Sequence, residues 1–342
     1  MSARLLVAAL RDPASVATFD DAGWTALIGV ARAEQLVGTL AERLAGLPLP
    51  ESVERIMADA RRSAAEGRRA ALWEAEMARR ALAPLDVPVI LLKGTAFAAA
   101  GLDAGRGRSI GDLDILVARQ DLDRVEAALI GAGWEWVKPD PYDDAYYRRW
   151  MHELPPLIHA TRDRMIDVHH SILPLTARPK PDAAALIADA VPLRDGLATL
   201  SPEDMVVHAA AHLFADGDLS GGLRNLWDID RLLREFGDDG FWPRLAARAG
   251  RHGLTRSVAL ALRMTRRLYG TTVDPALAGR AHLLDAWIER RLLARDGWGR
   301  GTRPFIRLAF YVRSHWLRMP PALLARHLWT KWRKGARLSE TS

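Results

Sequence analysis

Between two long stretches of helical spacing lies a segment of different texture, and it restricts this chain more than any other feature. Val87-Pro88-Val89-Ile90-Leu91-Leu92 is a continuous apolar run that stops at Lys93-Gly94. Asp112-Leu113-Asp114-Ile115-Leu116-Val117 is a second such run, broken only by two acids. Short apolar runs bounded by Gly and polar residues predict buried strands. Residues two apart on a strand share a face, so Asp112 and Asp114 would project side by side. Two unpaired carboxylates are costly to bury. A divalent cation removes that cost, and Mg²⁺ takes one or two carboxylates together with substrate phosphates.

The surroundings extend this reading. At Lys93-Gly94-Thr95 a strand ends and a helix is expected over 95–102. Backbone N–H groups at such a turn suit phosphate, Gly94 allows close approach, and the Thr95 hydroxyl can donate. A third carboxylate is expected from a neighbouring strand. Asp167, alone in the run Met165-Ile166-Asp167-Val168-His169, supplies it, the alternative being a structural acid paired with Arg162 or Arg164. His169 should share its face and orient substrate or acid, or simply pack. Arg108, in the loop 106–111, is a candidate phosphate contact, whereas Arg106 reads as solvated.

Helices are expected over 20–46 and 51–83, and the amphipathic stretch 120–130 reads as a third. A strand is expected over 134–137, then a hairpin of 158–160 with 165–169. After Pro181 the pattern reads as helix again, near 182–189, 201–215, 222–236, 241–252, 255–269, 281–295 and 304–333. This defines an N-terminal helical region (1–83), an α/β core (84–175), a C-terminal helical domain (176–300) and a basic, aromatic helical tail (301–342). The fold class is α+β, a small mixed sheet embedded in predominantly α-helical flanks.

These residues resemble the uncharacterised nucleotidyltransferase family, minimal nucleotidyltransferases of the DNA polymerase β-like superfamily. The likeness lies in Leu92-Lys93-Gly94-Thr95, Arg108, Gly111-Asp112-Leu113-Asp114-Ile115-Leu116-Val117, Gly131-Ala132-Gly133-Trp134 and Ile166-Asp167-Val168-His169. It continues through Leu200-Ser201-Pro202-Glu203-Asp204, His208, His212, Arg224 and Asp228-Ile229-Asp230. The superfamily usually has Gly-Ser where this chain has Gly94-Thr95, so a hydroxyl is kept. The resemblance implies Mg²⁺-dependent (or Mn²⁺-dependent) transfer of a nucleoside monophosphate from an NTP such as ATP to an acceptor hydroxyl. The acceptor could be a small molecule, a peptide or protein, or an RNA end. Asp112, Asp114 and Asp167 would hold metal, and Lys93, Gly94, Thr95 and Arg108 the nucleotide. His169, Arg224 and Asp228 would be substrate contacts. The rival is a non-catalytic binding or scaffold protein of the same fold.

His208 and His212 stand four apart on a helix, the spacing of a metal pair. No Glu follows His208 in the zincin order and no third ligand is evident, so a packed role is expected. Arg224 and Asp228, also four apart, would otherwise pair on the helix surface.

Charge and composition limit the partners. Net charge is +6, but residues 297–339 carry ten Lys or Arg and no acid. Subtracting those ten from +6 leaves the rest of the chain at −4, which disfavours a general nucleic-acid surface. The tail interleaves Phe305, Phe310, Tyr311, Trp316, Trp329 and Trp332 with cations. It is expected to pack on its own domain, with peripheral membrane or protein contact through 303–333 as the alternative. There is no cysteine, which excludes disulfides and thiolate metal sites. The apolar run Leu5–Leu10 is too short for a secretory signal. No window holds the roughly 18 apolar residues of a spanning helix. A cytoplasmic protein, or one peripheral at the inner membrane face, is expected.

Overall fold

The computed structural model describes residues 2–137, 140–193 and 196–318. Its centre is a seven-stranded mixed sheet in the order β3-β4-β5-β2-β1-β7-β6. The strands are β1 (Val89–Leu91), β2 (Leu113–Leu116), β3 (Trp134–Trp136), β4 (Leu157–His159), β5 (Met165–His169), β6 (Val191–Pro192) and β7 (Leu197–Thr199). β1 and β2 are buried along their whole length, which is why both are continuous apolar runs. β2 lies antiparallel to β1 and parallel to β5. The β2–β5 register sets Asp114 beside Asp167 and Leu116 beside His169.

The helices before the sheet are α1 (Ser2–Arg11), α2 (Asp21–Ala33), α3 (Val37–Arg43) and α4 (Glu51–Leu82). The helix expected over 20–46 is therefore two. Gln35 adopts a left-handed φ of 55° between them. The break lets α3 come close to the loop before β2: a Cβ on Gly38 would lie 2.5 Å from the Gly107 carbonyl. Within and beyond the first strands come α5 (Lys93–Ala99), α6 (Leu122–Gly131), α7 (Pro141–Trp150) and α8 (Ala183–Ala188). The C-terminal layer is α9 (Pro202–Ala211), α10 (Gly222–Phe236), α11 (Phe241–Arg251), α12 (Thr255–Tyr269), α13 (Pro275–Ala278), α14 (Leu283–Leu292) and α15 (Pro304–Arg318).

Between the helices expected over 182–189 and 201–215, the chain contributes β6 and β7, which the pattern did not place. β7 pairs parallel with β1 at the sheet centre. Leu197-Ala198-Thr199 is too short to display a period, and only the exposed backbone edge of β1 makes it a strand. The part of the expected tail helix beyond 318 lies outside the described residues. One continuous apolar core joins both flanks to the sheet, from Leu6 through Ile115 and Trp227 to Phe310. An ion pair ties distant parts together: Glu34, just after α2, takes Arg295 at 2.7 Å and accepts from the Leu223 N–H of α10.

Candidate active site

The strand run of β1 ends at Leu92, whose N–H donates to the Asp114 carbonyl at 2.9 Å. That bond carries the β1–β2 pairing one step further and delivers Lys93 to the flank of Asp114. Lys93 has a left-handed φ of 49°, a strained conformation for a residue with a Cβ. Its ammonium reaches Asp114 Oδ1 at 2.5 Å. His169 Nε2 meets the same oxygen at 2.9 Å. Burial alone would raise the Asp114 carboxyl, but Lys93 and His169 outweigh it and hold the group well below the usual carboxylate range. Burial would likewise lower Lys93, but Asp114, with Asp112 and Glu153 behind it, keeps the ammonium above its ordinary value.

Asp112 stands just outside β2, exposed at the bend that leads into it, whereas the strand was expected to begin there. Ligand oxygens of Asp112, Asp114 and Asp167 nevertheless all lie within 4.8 Å of one another. Asp167 makes no hydrogen bond or ion pair among the described residues, and Arg162 turns instead to Glu74 at 2.7 and 3.0 Å. Burial, then Asp114 and Glu153, push the Asp167 carboxyl up to about 7. Three clustered carboxylates with too little positive charge between them, all oxygen donors, fit Mg²⁺ or Mn²⁺.

That raised carboxyl has a measurable consequence. Unfolded, Asp167 ionises near the ordinary value of about 3.9. Between there and about 7 the folded state holds more protons than the unfolded. The contribution of Asp167 to the stability of the metal-free protein therefore falls as pH rises from about 4 to about 7. His208 and His212, lowered by burial first, slope the other way. The wild type minus Asp167→Asn difference in urea unfolding across this window isolates the effect. A flat difference would show that Asp167 ionises normally.

Asp112 also lines a cavity of about 490 Å³. Lys93, Arg108, Arg224, Asp228, His208 and His212 line it too, over an apolar floor of Leu91, Ala96, Phe97 and Met205. Arg108 donates to Asp228 Oδ2 at 2.7 Å, and Arg224 takes the other carboxylate oxygen of Asp228 and reaches Thr39 Oγ1 at 2.6 Å. Thr39 in turn donates to the carbonyls of Arg106 and Gly107. The Arg224–Asp228 pair, expected on a helix surface, is buried at 3% exposure for each residue. The inward face of α10 carries it because the second cation, Arg108, arrives from the loop before β2. Both arginines keep a buried Nε without a hydrogen-bond partner.

Gly94 is explained by the same traffic, since a Cβ there would lie 2.4 Å from Arg108 Nε. Thr95 is 1% exposed and its hydroxyl has no partner. It is not among the residues that line the cavity. His208 and His212 do line it and make no hydrogen bond among the described residues. Burial and Lys93 lower both imidazoles, His212 to about 3. Both were expected to pack, and they stand as largely buried imidazoles in the cavity wall. A single π-helical turn begins at His212, a distortion frequent at functional sites. Their i,i+4 spacing was the signal in the sequence. His152 and Glu153 lie beside His169 and carried none.

Carboxylates clustered for a hard cation beside a cation-rich cavity form a site suited to a phosphate-bearing ligand. The chain belongs to a family described as uncharacterised nucleotidyltransferases, which matches residues 20–270. No curated protein and no solved structure matched it.

Proposed function

We propose that this protein transfers a nucleoside monophosphate from an NTP to an acceptor hydroxyl. The observation that carries the reading is the meeting of Asp112, Asp114 and Asp167 at the edge of a cavity lined by Lys93, Arg108 and Arg224. The three aspartates would hold Mg²⁺, which neutralises phosphate charge in such transfers. Lys93 and Arg108 steady the triphosphate, and Gly94 leaves room for the Arg108 guanidinium. The Arg224–Asp228 pair fixes Arg108, and His208 and His212 offer neutral contacts to the nucleotide. The acceptor oxygen attacks the α-phosphorus, the bond to the β-phosphate breaks, and pyrophosphate leaves. Asp167, at the edge of the same cluster, accepts the hydroxyl proton as general base. The acceptor class stays open among a small molecule, a peptide or protein, and an RNA end. The charge of −4 outside the tail disfavours long nucleic acid.

Incubation with an α-³²P-labelled NTP, Mg²⁺ and cell extract tests the reading. Label transfer that depends on Asp112 supports it. Absence of any Mg²⁺-dependent nucleotide binding would favour a scaffold that has kept the fold without the activity.

A second observation concerns location. No helix among the described residues is long and apolar enough to cross a membrane. Helix α15, however, exposes Phe305, Leu308, Val312 and Trp316 along one face, Phe305 at 86%. Its opposite face buries Phe310 and Ser314. No acid accompanies this stripe between 297 and 339, and ten cations do. That combination fits an anionic lipid surface. The protein should float with vesicles containing phosphatidylglycerol and stay behind with neutral phosphatidylcholine vesicles. Equal behaviour of a Phe305→Ser/Leu308→Ser variant and the wild type would remove this assignment.

A further inference from the structure

We propose that His152, Glu153 and His169 form a second cation site, of transition-metal type, beside the three aspartates. The backbone builds it firmly. Glu153 bridges antiparallel to His169, so the two side chains leave one face of the pair. The flanking bonds Leu154 N–H to Val168 O and His170 N–H to His152 O, at 2.9 and 2.8 Å, fix the register. Each of the three residues offers a ligand atom within 4.8 Å of the others.

The chemistry of His169 then asks for a cation. The Asp114 carboxylate can only accept, so His169 Nε2 carries the hydrogen of their 2.9 Å contact. Nδ1 then stands on the side of Glu153 Oε2, 3.3 Å away. His169 is 2% exposed, and Nδ1 has no hydrogen-bond partner. At that separation the missing bond means the oxygen lies off the nitrogen's own axis. Ligands of one ion are arranged in this way, each aimed at the ion and not at its neighbour. Around a tetrahedral ion with bonds of 2.0–2.1 Å, neighbouring ligands stand about 3.3 Å apart. His152 Nε2 is 3.8 Å from the same Glu153 oxygen.

Two imidazoles and one carboxylate suit Zn²⁺ or Co²⁺ better than Mg²⁺, which prefers oxygen. A histidine ligand commonly passes its other N–H to a carboxylate, which fixes its tautomer and aim. Asp114 occupies that place here. The site therefore holds Asp114 in position through His169, and Asp114 in turn belongs to the aspartate cluster. The inference needs no nucleotide chemistry and stands apart from the proposed transfer.

The test uses the full chain, stripped with a chelator and titrated with Co²⁺ in excess Mg²⁺ without nucleotide. One equivalent should bind, with visible absorption typical of nitrogen ligation, and Zn²⁺ should displace it. Glu153→Gln should weaken binding by at least about tenfold, whereas Asp112→Asn should leave it unchanged. Circular dichroism of the metal-free variants separates lost binding from lost folding, and the wild-type stoichiometry stands without any variant. No Co²⁺ uptake over Mg²⁺, with both His169 nitrogens protonated by ¹⁵N NMR, would overturn the proposal in favour of an imidazolium between two acids. Uptake lost in Asp112→Asn and kept in Glu153→Gln would also overturn it, by placing the ion among the aspartates.

Discussion

Asp112→Ala is expected to abolish nucleotidyl transfer while leaving the fold intact, and Asp114→Ala to lose both. Asp112 is exposed at the bend before β2. Surface substitutions outside special features usually change stability by less than about 0.5 kcal/mol. As a ligand it would hold a cation whose stabilisation of the transferring phosphoryl group amounts to several kcal/mol, more than about a hundredfold in rate. Asp114 is different. It is 3% exposed and receives both Lys93 and His169 on one oxygen. Its removal leaves an ammonium in a buried setting without its partner, which costs about 3–5 kcal/mol. Label transfer with each variant, beside urea unfolding in the absence of metal, separates the two roles. Transfer unchanged in Asp112→Ala would remove the proposed site. Unfolding of Asp114→Ala identical to wild type would show that the Lys93 and His169 contacts carry no stability.

Asp228→Ala should be the most destabilising substitution in the cavity wall. One carboxylate there serves two arginines, Arg108 across the cavity and Arg224 one helical turn away. Arg224 is buried, and each arginine already has a buried Nε without a partner. Losing the shared anion strands two cations at once, so the cost should reach or exceed the roughly 3–5 kcal/mol of a single broken buried pair. Arg108→Met/Asp228→Leu, which removes one cation with the anion, should recover part of that loss. Nucleotide affinity should fall with both, because Arg108 loses its fixed position in the first and is absent from the second. A denaturation midpoint for Asp228→Ala within error of wild type would show that the network is solvated in solution.

The acids of the candidate site were legible because their pattern is local. Two acids at period two in an apolar run announce a charged strand end, and Asp167 announces itself as a lone acid in another. The helical flanks were legible for the same reason, their apolar spacing being a property of neighbouring residues. β7 was not, because three residues carry no period and its pairing with β1 joins segments about a hundred residues apart. The same holds for the meeting of Arg108, read as a candidate phosphate contact, with Asp228, read as a substrate contact or half of a surface pair. Nothing within either segment encodes a partner 120 residues away.

By itself, then, the sequence determined the α+β class, the family and the first pair of acids in the segment from Lys93 to Val117. Tertiary structure decided what that segment faces. The β2–β5 register brought Asp167 to Asp114, packing of α10 buried Asp228 under Arg108, and the bridge at Glu153 set two histidines beside the cluster. Side-chain periodicity is written by covalent neighbours. Convergence depends on which surfaces pack, and on the cost of burying charge that each packing must offset.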